Sequence, residues 1–255
     1  MIEPYLIPTA SRLLPCDSPC STFSPPFLTS PCSILCSGRE RVGIVGRSGS
    51  GKSSLVSALL RLVELDGGRI ELDGINIRHV PLCRLRASIA VVMQDAVLFS
   101  GDLRSNLDPS GACAEEALAA AVRQVRLCAE EEDAAEKLKE AVGEGGENWS
   151  AGQRQLICLG RAVLSSSKVM VADEATSSID TETDAVVQRV LRSRPATMLV
   201  IAHRLETILD SDRVLLVDAG VVAEEGPPAE LAQKPAGLFA ALLAARGTGS
   251  SSSAG

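Results

Sequence analysis

Aromatic residues are nearly missing from this chain: one Trp, one Tyr and four Phe make 2% of its 255 residues. A core must therefore be assembled from Leu, Val, Ile and Ala, and 255 residues are enough to bury a sizeable one. Long apolar runs are missing too. None approaches the ~20 residues that span a bilayer, so no crossing helix is expected within these residues. Positive charge is short, with 25 Lys and Arg against 32 Asp and Glu, a net charge of −7 and a pI near 5.0. No basic field exists for a nucleic-acid partner, and none is expected. A secretory leader is not read either: Met1-Ile2-Glu3-Pro4 has no positive start, and prolines interrupt the apolar stretch after it. The expected setting is reducing and intracellular.

Cysteine is plentiful. Cys16, Cys20, Cys32 and Cys36 form two C-x3-C pairs near the start, while Cys83, Cys113, Cys128 and Cys158 are scattered. The scattered four read as small buried hydrophobes. The first four lie among Ser and Pro at a spacing wider than the usual C-x2-C, so zinc is not the preferred reading. Residues 1–37 hold more than half of the prolines and show no period of 2 or 3.6. They are expected to be extended or disordered.

The chain is organised around Gly46-Arg47-Ser48-Gly49-Ser50-Gly51-Lys52-Ser53, whose glycine spacing ending in Gly-Lys-Ser is that of a phosphate-cradling loop. Val42–Val45 upstream reads as a buried strand, and Leu55, Val56, Leu59, Leu60 and Val63 downstream keep the spacing of a helix face. Strand, glycine loop and helix is the setting the motif requires. Glycines let successive N–H groups turn toward one anion, and the helix aims the positive end of its dipole there. Lys52 is expected to reach the β- and γ-phosphates, and the Ser53 hydroxyl to ligate Mg²⁺.

Beyond the loop, Arg69–Ile77 reads as two short strands joined at Asp73-Gly74, a hairpin signal. Pro81–Ser88 reads as a short helix or turn. Ile89–Met93, Val169–Ala172 and Met198–Ala202 join Val42–Val45 as near-continuous apolar runs, the kind buried on both faces of a parallel sheet. Each run ends on a polar group: the glycine loop, Gln94, Asp173-Glu174 and His203. Ligands bind beyond the carboxyl ends of such strands, so these groups are expected to serve one site. Between them, Ala114–Ala129 and Glu131–Val142 are helical in pattern, and the acidic Glu130-Glu131-Glu132-Asp133 reads as a solvated face. Ser150 is placed as N-cap of a helix from Ala151 to Leu164.

That helix start, Trp149-Ser150-Ala151-Gly152-Gln153, resembles the Leu-Ser-Gly-Gly-Gln signature of ATP-binding cassette ATPases. Trp149 and Ala151 are mild departures from it. Gln94–Ser100, Asn106-Leu-Asp-Pro109, Gly152-Gln-Arg-Gln155, Asp173–Asp180 and Ile201-Ala-His-Arg-Leu205 resemble the C-terminal nucleotide-binding domain of multidrug-resistance-protein-type transporters, the C subfamily. The resemblance covers about residues 38–246. It implies an α/β fold of the P-loop NTPase type, a RecA-like parallel sheet with a small antiparallel β patch and a helical signature subdomain at about 101–165. Residues 1–37 stay unmatched, and 247–255 form a Ser/Gly tail.

The same resemblance implies the site. ATP is bound by Gly46, Arg47, Ser48, Gly49, Ser50, Gly51, Lys52, Ser53 and Ser54, with Gln94; Ser53, Gln94 and Asp173 hold Mg²⁺. Glu174 resembles the general base, His203 the γ-phosphate contact, and Lys52 and Gln94 complete the catalytic set. Ser150, Gly152 and Gln153 face the ATP of a second nucleotide-binding domain in a head-to-tail dimer, and Asp180 lies in the loop coupling the two sites. Transmembrane domains of a transporter are the further partners, and the cytoplasmic face of a membrane is the implied location. A regulatory module without turnover and a soluble ATPase of translation or DNA repair are the alternatives. Glu174 and His203 weigh against the first, and the acidic balance and missing heptads against the second.

Overall fold

In chain order the elements are β1 (Ala10–Leu14), β2 (Leu35–Ser37), β3 (Arg41–Val45), α1 (Lys52–Leu59), β4 (Arg69–Leu72), β5 (Ile75–Asn76), α2 (Leu82–Ala87), β6 (Ile89–Val92), β7 (Gly101–Asp102), α3 (Leu103–Leu107), α4 (Glu115–Gln124), α5 (Ala134–Lys137), β8 (Ala141–Val142), α6 (Ala151–Leu164), β9 (Val169–Asp173), α7 (Thr181–Ser193), β10 (Thr197–Ile201), α8 (Leu205–Leu209), β11 (Arg213–Asp218), β12 (Val221–Gly226), α9 (Pro228–Gln233) and α10 (Leu238–Gly247). They are seen in a computed structural model, which describes residues 10–14, 34–129, 133–173, 180–201 and 205–247. Two units divide the chain: residues 1–86 with 196–255, and residues 87–195.

In the first unit β3 is buried at all five positions, because parallel strands flank it on both sides. Val42 lies opposite Leu199 of β10 and opposite Arg213 of β11, and β12 adds antiparallel to β11, giving the order β12-β11-β3-β10. Val45, Ile208, Val214, Leu216, Leu231 and Phe239 close one apolar cluster beneath it. A second sheet is antiparallel in the order β2-β1-β4-β5. Its β4–β5 turn is the expected one: Asp73 and Gly74 take φ of 51° and 77°, the left-handed pair of a type I′ turn.

The stretch expected to be extended or disordered thus contributes two strands. β1 has no alternating pattern, and its pairing comes from partners remote in sequence, β2 and β4. Arg213 ties β2 to the main sheet: its guanidinium donates to Glu40 at 2.7 Å, to Glu225 and to the Leu35 carbonyl. Burial beside this group pushes the Cys36 thiol up to about 11, although Arg213 pulls the other way. Cys36 is therefore an inert packing residue. Cys16, Cys20 and Cys32 lie outside the described residues, as does the acidic run Glu130–Glu132. Of the scattered cysteines Cys128 is buried as expected, whereas Cys83 is exposed on α2 and Cys113 and Cys158 are only half-buried, a correction.

The helices after the loop and after Ala114 end sooner than their apolar spacing suggests. Arg61 and Arg126 sit at φ of 47° and 56°, where the chain leaves helical geometry. At each end the next amide reaches five residues back, Leu62 to Ser57 and Leu127 to Val122, the hydrogen bonds of a Schellman stop. Val63 consequently falls outside α1. Of Glu131–Val142, the described residues 133–142 hold only four helical ones, α5, followed by β8 paired to β7.

The second unit joins the parallel pair β6–β9 to α3–α7. Its core includes Leu103, Leu107, Leu118, Val122, Val125, Leu138, Ile157 and Leu159, all buried. α6 is the longest helix among the described residues and is secured at both ends. A capping box closes its start, and Arg194 donates to the Val163 and Ser165 carbonyls at its finish, 2.6 Å each. α3 packs so near that a Cβ on Gly160 would stand 2.6 Å from Leu107.

α10 is capped from a distance. Glu224 of β12 is buried and accepts from the amides of Leu238 and Phe239, 3.1 and 3.0 Å, with Lys234 3.3 Å away. These amides hold its carboxyl below the usual range. A lowered folded value means that the contribution is full above the unfolded pKa of about 4.3 and is lost as pH falls through the folded one. Glu224→Ala is expected to cost about 1.5–3 kcal/mol in urea unfolding at pH 7, the range for hydrogen bonds to a charge, and progressively less below about pH 4.

Candidate functional site

The glycine loop in the first unit leaves β3 at Gly46 and enters α1 at Lys52. Gly46 is glycine by necessity: a Cβ there would lie 2.1 Å from the Val217 carbonyl oxygen of β11 and 2.6 Å from Ser50 Oγ. Gly49 and Gly51 take φ of 77° and 108°, so the loop turns inward. The Gly220 amide, in the β11–β12 turn, donates to the Ser50 carbonyl at 3.1 Å and fixes the far wall. Lys52 is 8% exposed, and its ammonium folds back onto the carbonyls of Gly46 and Arg47 at 3.0 and 2.9 Å. Arg47, Ser48 and Gly49 form an exposed crest over this buried floor.

These features fit a phosphate. No side chain caps the start of α1, and no acidic residue sits in its first turn. Its first N–H groups, with the positive end of the helix dipole, are thus arranged for an anion. Ser50 Oγ is buried with no hydrogen-bond partner among the described residues. Ser53 is exposed and Ser54 half-buried on the same first turn. His203 lies outside the described residues.

In the second unit, Val92 of β6 pairs with Ala172 of β9. Gln94 and Asp173 therefore stand at the carboxyl ends of neighbouring parallel strands, Gln94 exposed and Asp173 half-buried. Glu174, the next residue, lies outside the described ones. Ser150 caps α6 as the sequence suggests: its hydroxyl accepts from the Gln153 amide at 3.2 Å, while Gln153 Oε1 accepts from the Ser150 amide at 3.0 Å. Gly152 meets the start of α7, where a Cβ would stand 3.1 Å from Thr183 Oγ1 and 3.4 Å from Asp180 Oδ1. Asp180 caps α7 through the amide and hydroxyl of Thr183, 2.9 and 2.8 Å, and these bonds hold its carboxyl below the usual range.

The two departures in the signature are absorbed. Trp149 is buried, its indole N–H donating to the Ala141 carbonyl at 3.2 Å and Lys137 lying 5.4 Å from the ring centre. Ala151 is exposed at the first helical position, where its side chain has no task. Val217, Gly220 and Thr183, which shape these loops, were not singled out by the sequence. The apolar run Val214–Val217 ahead of Asp218-Ala-Gly is the signal that points to the first two.

A family model described as "ABC transporter" matches residues 30–177, more than half of the chain and inclusive of both loops. The chain belongs to the ABC transporter family. This ABC transporter chain is 42% identical over 228 residues to ABC transporter C family MRP4 of Zea mays, covering 89% of the chain and 15% of that protein. It is 46% identical over 203 residues to ABC transporter C family member 3 of Dictyostelium discoideum, covering 79% of the chain and 14% of that protein. A solved structure titled as a bacterial Atm1-family ABC exporter with ATP bound matches at a TM-score of 0.83 and 28% identity, over 100% of this chain and 45% of that one. The ABC transporter chain thus spans about one seventh of the length of these curated relatives. Its fold is the expected α/β fold of the family's nucleotide-binding domain, a mostly parallel sheet with helices. No helix among the described residues is long and apolar enough to cross a membrane.

Ser150→Ala removes one half of the capping box and is expected to cost about 0.5–2 kcal/mol, whereas Ser150→Asp keeps an N-cap and costs less. Thermal unfolding of the two variants side by side checks this ordering.

Proposed function

We propose that this chain is the ATP-binding and ATP-hydrolysing domain of a C-family exporter, acting with a second nucleotide-binding domain and with membrane-spanning domains at the cytoplasmic face of a membrane. The observation that carries the reading is the loop at Gly46–Ser53, with its buried lysine, inward turns and an α1 start that has no side-chain cap. ATP is the ligand its chemistry suits. Lys52 and the loop amides neutralise phosphate charge, with Arg47, Ser48, Gly49, Ser50, Gly51 and Ser54 lining the turn.

Ser53, Gln94 and Asp173 offer hydroxyl, amide and carboxylate oxygens, the hard donors Mg²⁺ takes beside phosphate. The bound ion supplies neutralisation of charge on the phosphate oxygens. Glu174 orients or deprotonates the attacking water, and His203 contacts the γ-phosphate. Ser150, Gly152 and Gln153 serve the ATP held by the other domain, with the dipole of α6 aimed at phosphate. One chain on this reading holds two half-sites.

Glu174→Gln is expected to bind ATP as the parent chain does and to release phosphate about 10²–10³-fold more slowly. Unchanged turnover would refute the role of Glu174. Dependence on a second domain is read from rate against protein concentration: activity per chain should rise as the chains associate. A strictly linear rate from a protein shown to be monomeric overturns the two-domain reading.

A further inference from the structure

α6 carries more than its N-terminal signature: two side chains farther along it reach the irregular segment on which Gln94 rides. Gln155, 2% exposed, donates from Nε2 to the Met93 carbonyl at 3.0 Å, one residue before Gln94. Arg161 donates to the Val97 carbonyl at 2.6 Å, three residues after it. The same guanidinium donates to the Asn106 carbonyl and, at 2.8 Å, to Asn106 Oδ1, and lies 5.7 Å from the Phe99 ring centre. Asn106, 1% exposed, completes the link by donating to the Phe99 carbonyl at 2.7 Å and accepting from its amide at 2.9 Å.

The groups bonded to α6 lie 55 to 64 residues from it in sequence, so no local turn accounts for them. The residues they hold, 93–99, have no helix or strand of their own, and Met93, Val97 and Phe99 are exposed. Arg is suited to this post because its planar fork serves Val97 and both Asn106 groups at once; a lysine ammonium in the same place lacks that geometry.

We propose that Gln155 and Arg161 are positioning residues that fix Gln94 by tying its segment, on both sides, to the helix that begins at Ser150. The segment and the signature helix then move as one piece. The inference rests on the role for Gln94 under the proposed function, and its test separates the two.

Gln155→Glu replaces the donor by an acceptor facing the Met93 carbonyl; Arg161→Lys keeps the charge and loses the fork. Both are made in the full chain, with folding checked by circular dichroism. In hydrogen–deuterium exchange, amides of residues 94–101 are expected to exchange at least about fivefold faster in either variant, with α7 unchanged. ATP turnover is expected to fall by about 10- to 100-fold, the scale of a small misplacement, with a raised Mg²⁺ requirement and little change in nucleotide affinity. In a Gln94→Ala background neither substitution should slow turnover further, because the group they place is already gone. Unchanged exchange at 94–101, or full additivity with Gln94→Ala, overturns the proposal. A Gln94→Ala variant with parental turnover overturns instead the role of Gln94, and the proposed positioning falls with it.

Discussion

A lysine ammonium buried against its own loop is the constraint on which the first unit depends. Removing such a charge from water costs several kcal/mol unless dipoles or partners surround it, and the carbonyls of Gly46 and Arg47 provide part of that surrounding. The loop holds this shape only because β3 is gripped between two parallel strands. β11 approaches so near that Gly46 has no room for a side chain, and the β11–β12 turn ties down Ser50 through Gly220. A strand outside the motif therefore dictates the first glycine of the motif.

This dependence explains which features the sequence reveals. Asp73-Gly74 and Ser150 with Gln153 are local devices, whose residue types carry their own geometry; both are legible from the residues alone. The loop is too, since glycine spacing and the following helix are written side by side. Arg61 and Arg126 are the opposite case. They end helices in the left-handed region without a glycine to announce it, and the apolar spacing runs on past them. Similarly, β12 turns back through Ala219 and Gly220, φ 47° and 78°, a tight turn opened by alanine instead of the usual Asn or Asp. Strands β1 and β2 depend on partners far along the chain, and the caps supplied by Glu224 and Arg194 likewise come from outside the helices they close. Features held by distant groups leave no local trace in the sequence.

The candidate site divides along the same line. Phosphate loop, strand-end Gln94 and Asp173, and signature are all legible because each sits at the end of a regular element. The side chains that hold them in place are not. Gln155 and Arg161 look like ordinary polar positions on an amphipathic helix until the fold brings Met93 and Val97 beneath them. Thr183 likewise explains Gly152 only across two helix starts.

The two long-loop helix starts, α1 and α6, solve the same problem differently. Each must satisfy its first amides; α1 has no side-chain cap, whereas α6 spends Ser150 and Gln153 on each other. The capping box does not remove the signature from service. A serine oxygen that accepts one hydrogen bond keeps its O–H to donate, and a glutamine that accepts through Oε1 keeps its amide N–H groups. Ser150 and Gln153 can therefore hold the helix start rigid while presenting donors to an anion beyond it. Rigidity matters here, because donors fixed before the ligand arrives lose no side-chain freedom on binding. On the proposed function, the box at α6 serves as a preorganised anion edge, and the bare start of α1 as one that the glycine loop preorganises from outside.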